Sequence, residues 1–153
     1  MKKPRSRPRL HLLEISLEGA SLLVPSATVA EVINPQNMSQ IPFSQPWLKG
    51  VIGWRTLAVP VISYEVLLGG MAPVNPTAGK IVVLYPLSGR KEWEFFGLLT
   101  NTEPRPQSAD GSQPIADNSE LPDSPYVAGG IKVDGRVMIV PDLEALHRVF
   151  YPA

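Results

Sequence analysis

The sequence predicts an all-β protein: one small barrel or a pair of them, closed by a single short helix at the C-terminal end. Three observations carry that expectation. Short apolar segments recur along the chain, either alternating with polar residues or rich in Val and Ile. Gly, Pro, Asn and Asp punctuate them at close intervals. A helical period appears only near the end, and about nine such short strands with one helix fit a barrel architecture.

The first element is a hairpin. Leu13, Ile15 and Leu17 alternate with Glu14, Ser16 and Glu18, the period of a half-buried strand. Gly19-Ala20 breaks it, and Leu22-Leu23-Val24 reads as the return strand. Thr28 to Ile33 is a third strand, stopped by Asn34-Pro35. Residues 34–48 carry three prolines and little periodicity, which marks a loop. In the run from Val51 to Leu68, Pro60 lacks the amide a central ladder needs, so it calls for an edge, a bulge or a junction. Leu57 to Ile62 and Tyr64 to Leu68 are then two short segments, followed by a Pro/Gly/Asn connector over 71–79.

Lys80 to Tyr85 is continuously apolar at its centre, as expected of a strand buried on both faces. Gly89-Arg90-Lys91 turns the chain into a strand over Trp93 to Thr100. Residues 101–125 hold five prolines among small polar residues and are expected to be a mobile loop. Tyr126 to Val133, Asp134-Gly135 and Arg136 to Val140 form a hairpin with a type I′ turn. Asp142 caps a helix that presents Leu143, Leu146 and Phe150, with His147 and Arg148 at its negative end.

Composition excludes several classes of function. The 153 residues carry no net charge and 44% hydrophobic residues, enough for a core in one domain of ordinary size or in two small lobes that share one. Lys2, Lys3, Arg5, Arg7 and Arg9 make residues 1–9 a flexible basic tail, with a phosphate-binding arm as the rival reading. The absence of cysteine removes thiolate catalysis and disulfides and fits a reducing compartment. No apolar run reaches the roughly 20 residues of a membrane helix, and the apolar stretch after the basic start is too short for a signal peptide. The expected location is the cytoplasm, without membrane insertion; there the Asn37-Met38-Ser39 sequon carries no meaning.

No chemistry-bearing cluster emerges. His11 and His147 lie at opposite ends without metal-ligand spacing, and there is no Gly-x-Ser-x-Gly elbow. Gly79-Lys80 fails as a phosphate loop because Val74 and Ile81 stand where glycine and a hydroxyl residue are needed. No catalytic residue, metal or cofactor is expected. Single-stranded nucleic acid, taken up by a small barrel through the basic arm, is the alternative function. However, Trp93, Phe95 and Phe96 alternate with Glu92 and Glu94, whose charge repels phosphate.

The unusual stretch is 47–56. Trp47 and Trp54 flank Lys49, Gly50, Gly53 and Arg55. Glycines in a strand-like run mark a bend or a close backbone approach, and Trp and Arg dominate interface hot spots. A strand entry with two core tryptophans and a solvated arginine explains the same residues equally well, so interface and core both stay open.

From about residue 10 to residue 150 the order of these features resembles the CheW family of chemotaxis adaptors. Val29-Ala30-Glu31-Val32 matches that family's Val-x-Glu-Val/Ile element, and Ile41-Pro42 its following loop. Gly50-Val51-Ile52-Gly53-Trp54-Arg55-Thr56 and Pro60-Val61-Ile62-Ser63-Tyr64 stand where it has Gly-Val-x-Asn-Leu-Arg-Gly and Pro-Val-Ile-Asp-Leu. Gly97-Leu98-Leu99-Thr100-Asn101, Tyr126-Val127-Ala128-Gly129 and Asp142-Leu143-Glu144-Ala145-Leu146 align with its later elements. Gly53, Trp54, Thr56, Ser63-Tyr64 and Thr100-Asn101 depart from the pattern, as in a divergent member of the PilI and ChpC type found in pilus-associated, twitching-motility systems.

The resemblance implies two five-stranded SH3-like barrels packed together as one domain over 10–153. The lobes are expected at about 18–80 and at 10–17 with 81–150. It further implies a non-enzymatic adaptor that couples a CheA-type histidine kinase, held on one barrel, to the cytoplasmic tip of a methyl-accepting chemoreceptor, held in the groove between barrels. By matching position, the expected partner-binding residues are Val29, Glu31, Val32, Gly50, Val51, Trp54 and Arg55. Glu31 and Arg55 are expected to pair across strands.

Overall fold

Two five-stranded sheets account for the computed structural model, which describes residues 9–35, 38–71 and 79–152. The strands are β1 Leu10–Leu17, β2 Ala20–Pro25, β3 Val29–Ile33, β4 Leu48–Trp54, β5 Leu57–Ile62, β6 Ile81–Leu84, β7 Phe96–Leu99, β8 Arg105–Ala109, β9 Val127–Val133 and β10 Arg136–Pro141. Two helices, α1 Tyr64–Leu67 and α2 Leu143–Phe150, follow β5 and β10. Residues 1–8 of the basic tail, Asn37 of the sequon and 72–78 of the connector lie outside the described residues.

The two sheets repeat one plan. Lobe one has the order β3-β6-β7-β5-β4 and lobe two β8-β1-β2-β10-β9. In each, a tight hairpin (β4–β5, β9–β10) lays its second strand parallel to the second strand of another hairpin (β6–β7, β1–β2). In each, too, a helix capped by a side chain leaves the parallel strand. Ser63 Oγ accepts from the Val66 amide and Asp142 Oδ1 from the Ala145 amide. The lobes therefore divide the chain differently from the expected boundaries. β2 belongs with β1 in lobe two, and β6 and β7 belong to lobe one, because strands pair according to sheet register rather than sequence order.

Alternation along the doubly buried strands distributes side chains to three apolar clusters. Ile81 and Val83 point into the lobe-one barrel with Ile52, Val59 and Leu99, while Val82 and Leu84 face the other way. On β2, Leu23 enters the lobe-two barrel beside Met138, and Leu22 and Val24 face outward. The outward sets meet each other and Ile15, Ile62, Tyr64, Phe96, Leu98 and Leu146 in a shared core between the lobes. The expectation of a strand buried on both faces at Lys80–Tyr85 holds for β6, all four residues of which are buried.

Four local expectations are corrected. Residues 64–68 turn as a helix rather than a strand, because Ser63 supplies an N-cap and Tyr64 is needed in the interlobe core. Its hydroxyl donates to the Tyr126 carbonyl at 2.7 Å, and burial raises its pKa. The strand expected from Trp93 begins only at Phe96, after a turn closed by the Glu94 amide on the Lys91 carbonyl. The stretch 101–125 contains β8, which pairs with β1 through Leu13 and Pro106; an edge strand tolerates that proline. Residues 114–116 then bond to β9. Finally, the polar face of β1 is not solvated. Glu14 is buried and accepts from Gln107 Nε2 at 2.8 Å and from Arg136 at 3.3 and 3.4 Å. Burial raises its pKa, but the hydrogen bonds from Arg136 and Gln107 and the charges of Arg136 and Arg105 prevail and hold it below the ordinary value. Pro60 sits where pairing allows it, since the ladder to β7 starts only at Val61.

His147 is the other buried polar group with consequences. It is fully enclosed on α2, its ring 5.2 Å from that of Phe96 and 5.4 Å from that of Tyr151, and neither ring nitrogen has a hydrogen-bond partner. Glu94 lies 3.6 Å from Nε2, just beyond hydrogen-bond reach, and Arg90 Nη1 lies 4.0 Å from the same carboxylate. Burial first, then the Arg90 charge, depress its pKa against the opposing pull of Glu94 and Glu144. The folded protein thus resists a proton that the unfolded chain accepts near pH 6.5. Stability is full above that pH and falls as pH drops toward the folded value. We expect denaturant midpoints to decline from about pH 7 to pH 5 in the parent and much less in His147→Leu. Equal declines would show that other groups govern this range.

Candidate partner-binding surface

The expected site residues converge on the seam where the lobe-one sheet closes on itself. β3 and β4 occupy opposite ends of the strand order, yet Glu31 on β3 meets Trp54 and Arg55 at the end of β4. A bulge in the β3–β6 pairing between Val29 and Glu31 makes this possible. It breaks strict alternation, so Ala30 and Ile33 pack into the barrel and Val29 and Val32 pack toward the interlobe core. Glu31 is left at the surface. Its Oε1 accepts from Trp54 Nε1 at 3.3 Å and from Arg55 Nη2 at 3.5 Å.

The Glu31–Arg55 pair expected from the sequence is therefore present, with side chains 45% and 61% exposed. Such a pair contributes about 0–1 kcal/mol to stability. What it gains is position: the guanidinium carbon stands 4.4 Å from the centroid of the Trp54 ring, which holds Arg55 over the seam. Trp54 itself is only 6% exposed and packs on Phe95 with ring centroids 4.8 Å apart. It is a core residue that orients its neighbour, and no free face of it remains for a partner.

Gly50 and Val51 are likewise occupied by the chain itself. Ser39 and Val51 exchange backbone hydrogen bonds of 2.9 and 2.8 Å, laying the segment after residue 38 against β4. A Cβ on Gly50 would stand 2.6 Å from both Met38 Cγ and the Ser39 carbonyl oxygen, so only glycine admits this approach. The close backbone approach read from the glycine-rich stretch is thus internal. Of the seven expected residues, Glu31 and Arg55 are presented outward; Val29, Val32 and Val51 are half-buried; Gly50 and Trp54 are buried.

Arg55 and Thr56 form the β4–β5 turn, both with positive φ (47° and 66°), as a type I′ hairpin requires. Asp134 and Gly135 do the same in lobe two, at 50° and 77°. Thr56 is a β-branched residue in the left-handed region, where a side chain is strained. Sequence reasoning passed over two exposed apolar groups, the Ile41–Phe43 turn and Met71. The available signal was an aromatic between Pro42 and Pro46 in a segment without buried periodicity.

Two five-stranded SH3-like barrels thus share one core, with an ordered charged seam where the lobe-one sheet closes. The CheW-like domain family model matches residues 11–149, and the chain belongs to that family. In backbone it is similar to the scaffolding protein TtCheW from Thermoanaerobacter tengcongensis, with a TM-score of 0.75 and 19% identity over 94% of this chain and 90% of that one. No curated protein sequence gives a match. The protein is a CheW-type chemotaxis adaptor. No helix among the described residues is long and apolar enough to cross a membrane.

The turn yields a direct test. Thr56→Gly removes the left-handed strain of about 1–2 kcal/mol, less the entropy glycine adds to the unfolded chain, for a net gain of about 0.5–1 kcal/mol. Urea denaturation of the two proteins measures it; a loss of stability would mean that the threonine side chain makes a compensating contact.

Proposed function

We propose that this adaptor has no chemistry of its own and holds a CheA-type histidine kinase on the lobe-one seam, through Glu31 and Arg55 with Val29, Val32 and Val51 at its margin. The observation that carries this reading is the ion pair drawn out of the barrel interior, anchored by the Trp54 ring and indole N–H, and left half-exposed. An arginine fixed in this way loses little side-chain entropy when a partner carboxylate or carbonyl takes it up.

The chemoreceptor tip takes the depression between the lobes. Leu17 and Ala20 from the β1–β2 hairpin face Leu68 and Met71 beyond α1 there, around a cavity of about 320 Å³. Met71 is strongly exposed on its edge, and an unbranched thioether suits a helical surface whose sequence varies. Cytoplasmic location and a pilus-linked, twitching-motility output complete the proposal; their support is the departures at Gly53, Trp54 and Thr56 and the absence of cysteine.

Arg55→Ala and Glu31→Arg should each weaken titration-calorimetry binding to the kinase regulatory domain by tenfold or more while leaving the thermal midpoint nearly unchanged, on the order of 1 kcal/mol at most. Trp54→Ala does not serve here, because emptying its site costs about 3–5 kcal/mol of fold stability. Unaltered kinase affinity in both surface variants would move the kinase site elsewhere. Met71→Asp should reduce co-sedimentation with receptor arrays and spare kinase binding; loss of both would mean that one surface serves both partners.

A further inference from the structure

We propose that the seam extends over the end of the lobe-one barrel to Tyr85, where the partner held at Arg55 also packs an apolar side chain on the Tyr85 and Phe95 rings. Because this rests on the seam's being the kinase surface, the occupant is again the regulatory domain of a CheA-type kinase. Alternation places Ile81, Val83 and Tyr85 on one face of β6 and its continuation. Ile81 and Val83 fill the barrel, so Tyr85 falls beyond its last buried layer. The Tyr85 side chain is exposed there, with its ring centroid 5.8 Å from that of Phe95.

A chain of ring contacts joins Tyr85 to the ion pair. Phe95 packs on Trp54 at 4.8 Å, and the Trp54 ring carries the Arg55 guanidinium at 4.4 Å, with Glu31 bonded to both residues. The backbone holds these rings before any partner arrives. The Tyr85 amide donates to the Thr28 carbonyl at 2.9 Å, which ties the end of β6 to the residue before β3. The Phe95 amide donates to the Trp93 carbonyl, and the Phe95 carbonyl accepts from the Tyr151 hydroxyl, both at 2.9 Å. Aromatic side chains on so fixed a backbone lose little conformational freedom when a partner covers them.

Charge is absent where this surface is apolar and present at its edge. Residues 81–89 contain no charged side chain, and Pro86 and Leu87 beside Tyr85 are half-buried. Glu31 and Arg55 stand next to Trp54 at the margin. An apolar centre with a polar rim is the anatomy of a protein interface, and tyrosine, tryptophan and arginine supply most of its hot spots. Trp93 is exposed as well, but its ring contact is with Tyr151, outside this chain of contacts. A partner that matches both parts presents a carboxylate or carbonyl to Arg55 and, beside it, an aliphatic side chain to Tyr85 and Phe95.

Tyr85→Ser should weaken titration-calorimetry binding of the kinase regulatory domain by about fivefold or more. Tyr85→Phe should bind within about twofold of the parent, since the ring rather than the hydroxyl makes the contact. Hydroxyl-radical footprinting of the full-length parent needs no substitution: oxidation of Tyr85 should fall severalfold when the kinase domain is added to saturation. If Arg55→Ala and Glu31→Arg weaken binding while Tyr85→Ser binds as the parent does, the seam stands and its extension to Tyr85 is overturned. Unchanged Tyr85 oxidation in the saturated complex overturns the extension equally. If none of the three substitutions alters affinity, the kinase site lies elsewhere and the extension falls with it.

Discussion

The apolar layer between the two barrels is the constraint on which the rest of the structure depends. β6 contributes Ile81 and Val83 to one barrel and Val82 and Leu84 to the shared layer, and β2 divides Leu23 from Leu22 and Val24 in the same way. Each fully buried aliphatic side chain contributes about 1.5–3 kcal/mol, so this layer outweighs any surface pair in the molecule. Neither lobe can hide its outward set without the other. The chain therefore folds as one domain, although its sheets are distinct.

That constraint also explains why the two lobes can repeat a plan without repeating a sequence. In both, a type I′ hairpin sends a strand parallel to its neighbour and then into a side-chain-capped helix. α1 delivers Tyr64 to the shared layer and α2 delivers Leu146 and His147. The Tyr64 hydroxyl and the Asp142 amide both bond to the Tyr126 carbonyl, one from each lobe. Register and capping are what recur; side-chain identity follows from whichever cluster each position faces.

At the lobe-one seam, the residues that close the barrel also set what the surface presents. Trp54 closes the barrel and simultaneously supports Arg55; Gly50 lets the segment after residue 38 lie against β4, which in turn sets the base of the Phe43 turn. Here barrel closure and a strained turn keep Arg55 and Phe43 outward. Trp54, one of the departures from the family's pattern, is the ring over which the Arg55 guanidinium stands.

The sequence by itself determined the class, most strands, the Asp134-Gly135 turn, the capped C-terminal helix, the double burial of β6 and the Glu31–Arg55 pair. These were legible because period, turn chemistry and motif order are local properties. Only the tertiary structure decided that Glu14 is buried, that β2 crosses to lobe two, that β8 forms within a proline-rich stretch and that Trp54 and Gly50 serve the fold. Each of those depends on a partner distant in sequence: Arg136 for Glu14, β10 for β2, β1 for β8, Phe95 for Trp54 and Met38 for Gly50. A strand's alternation tells which residues share a face; which face meets another sheet is fixed only when the sheets pack.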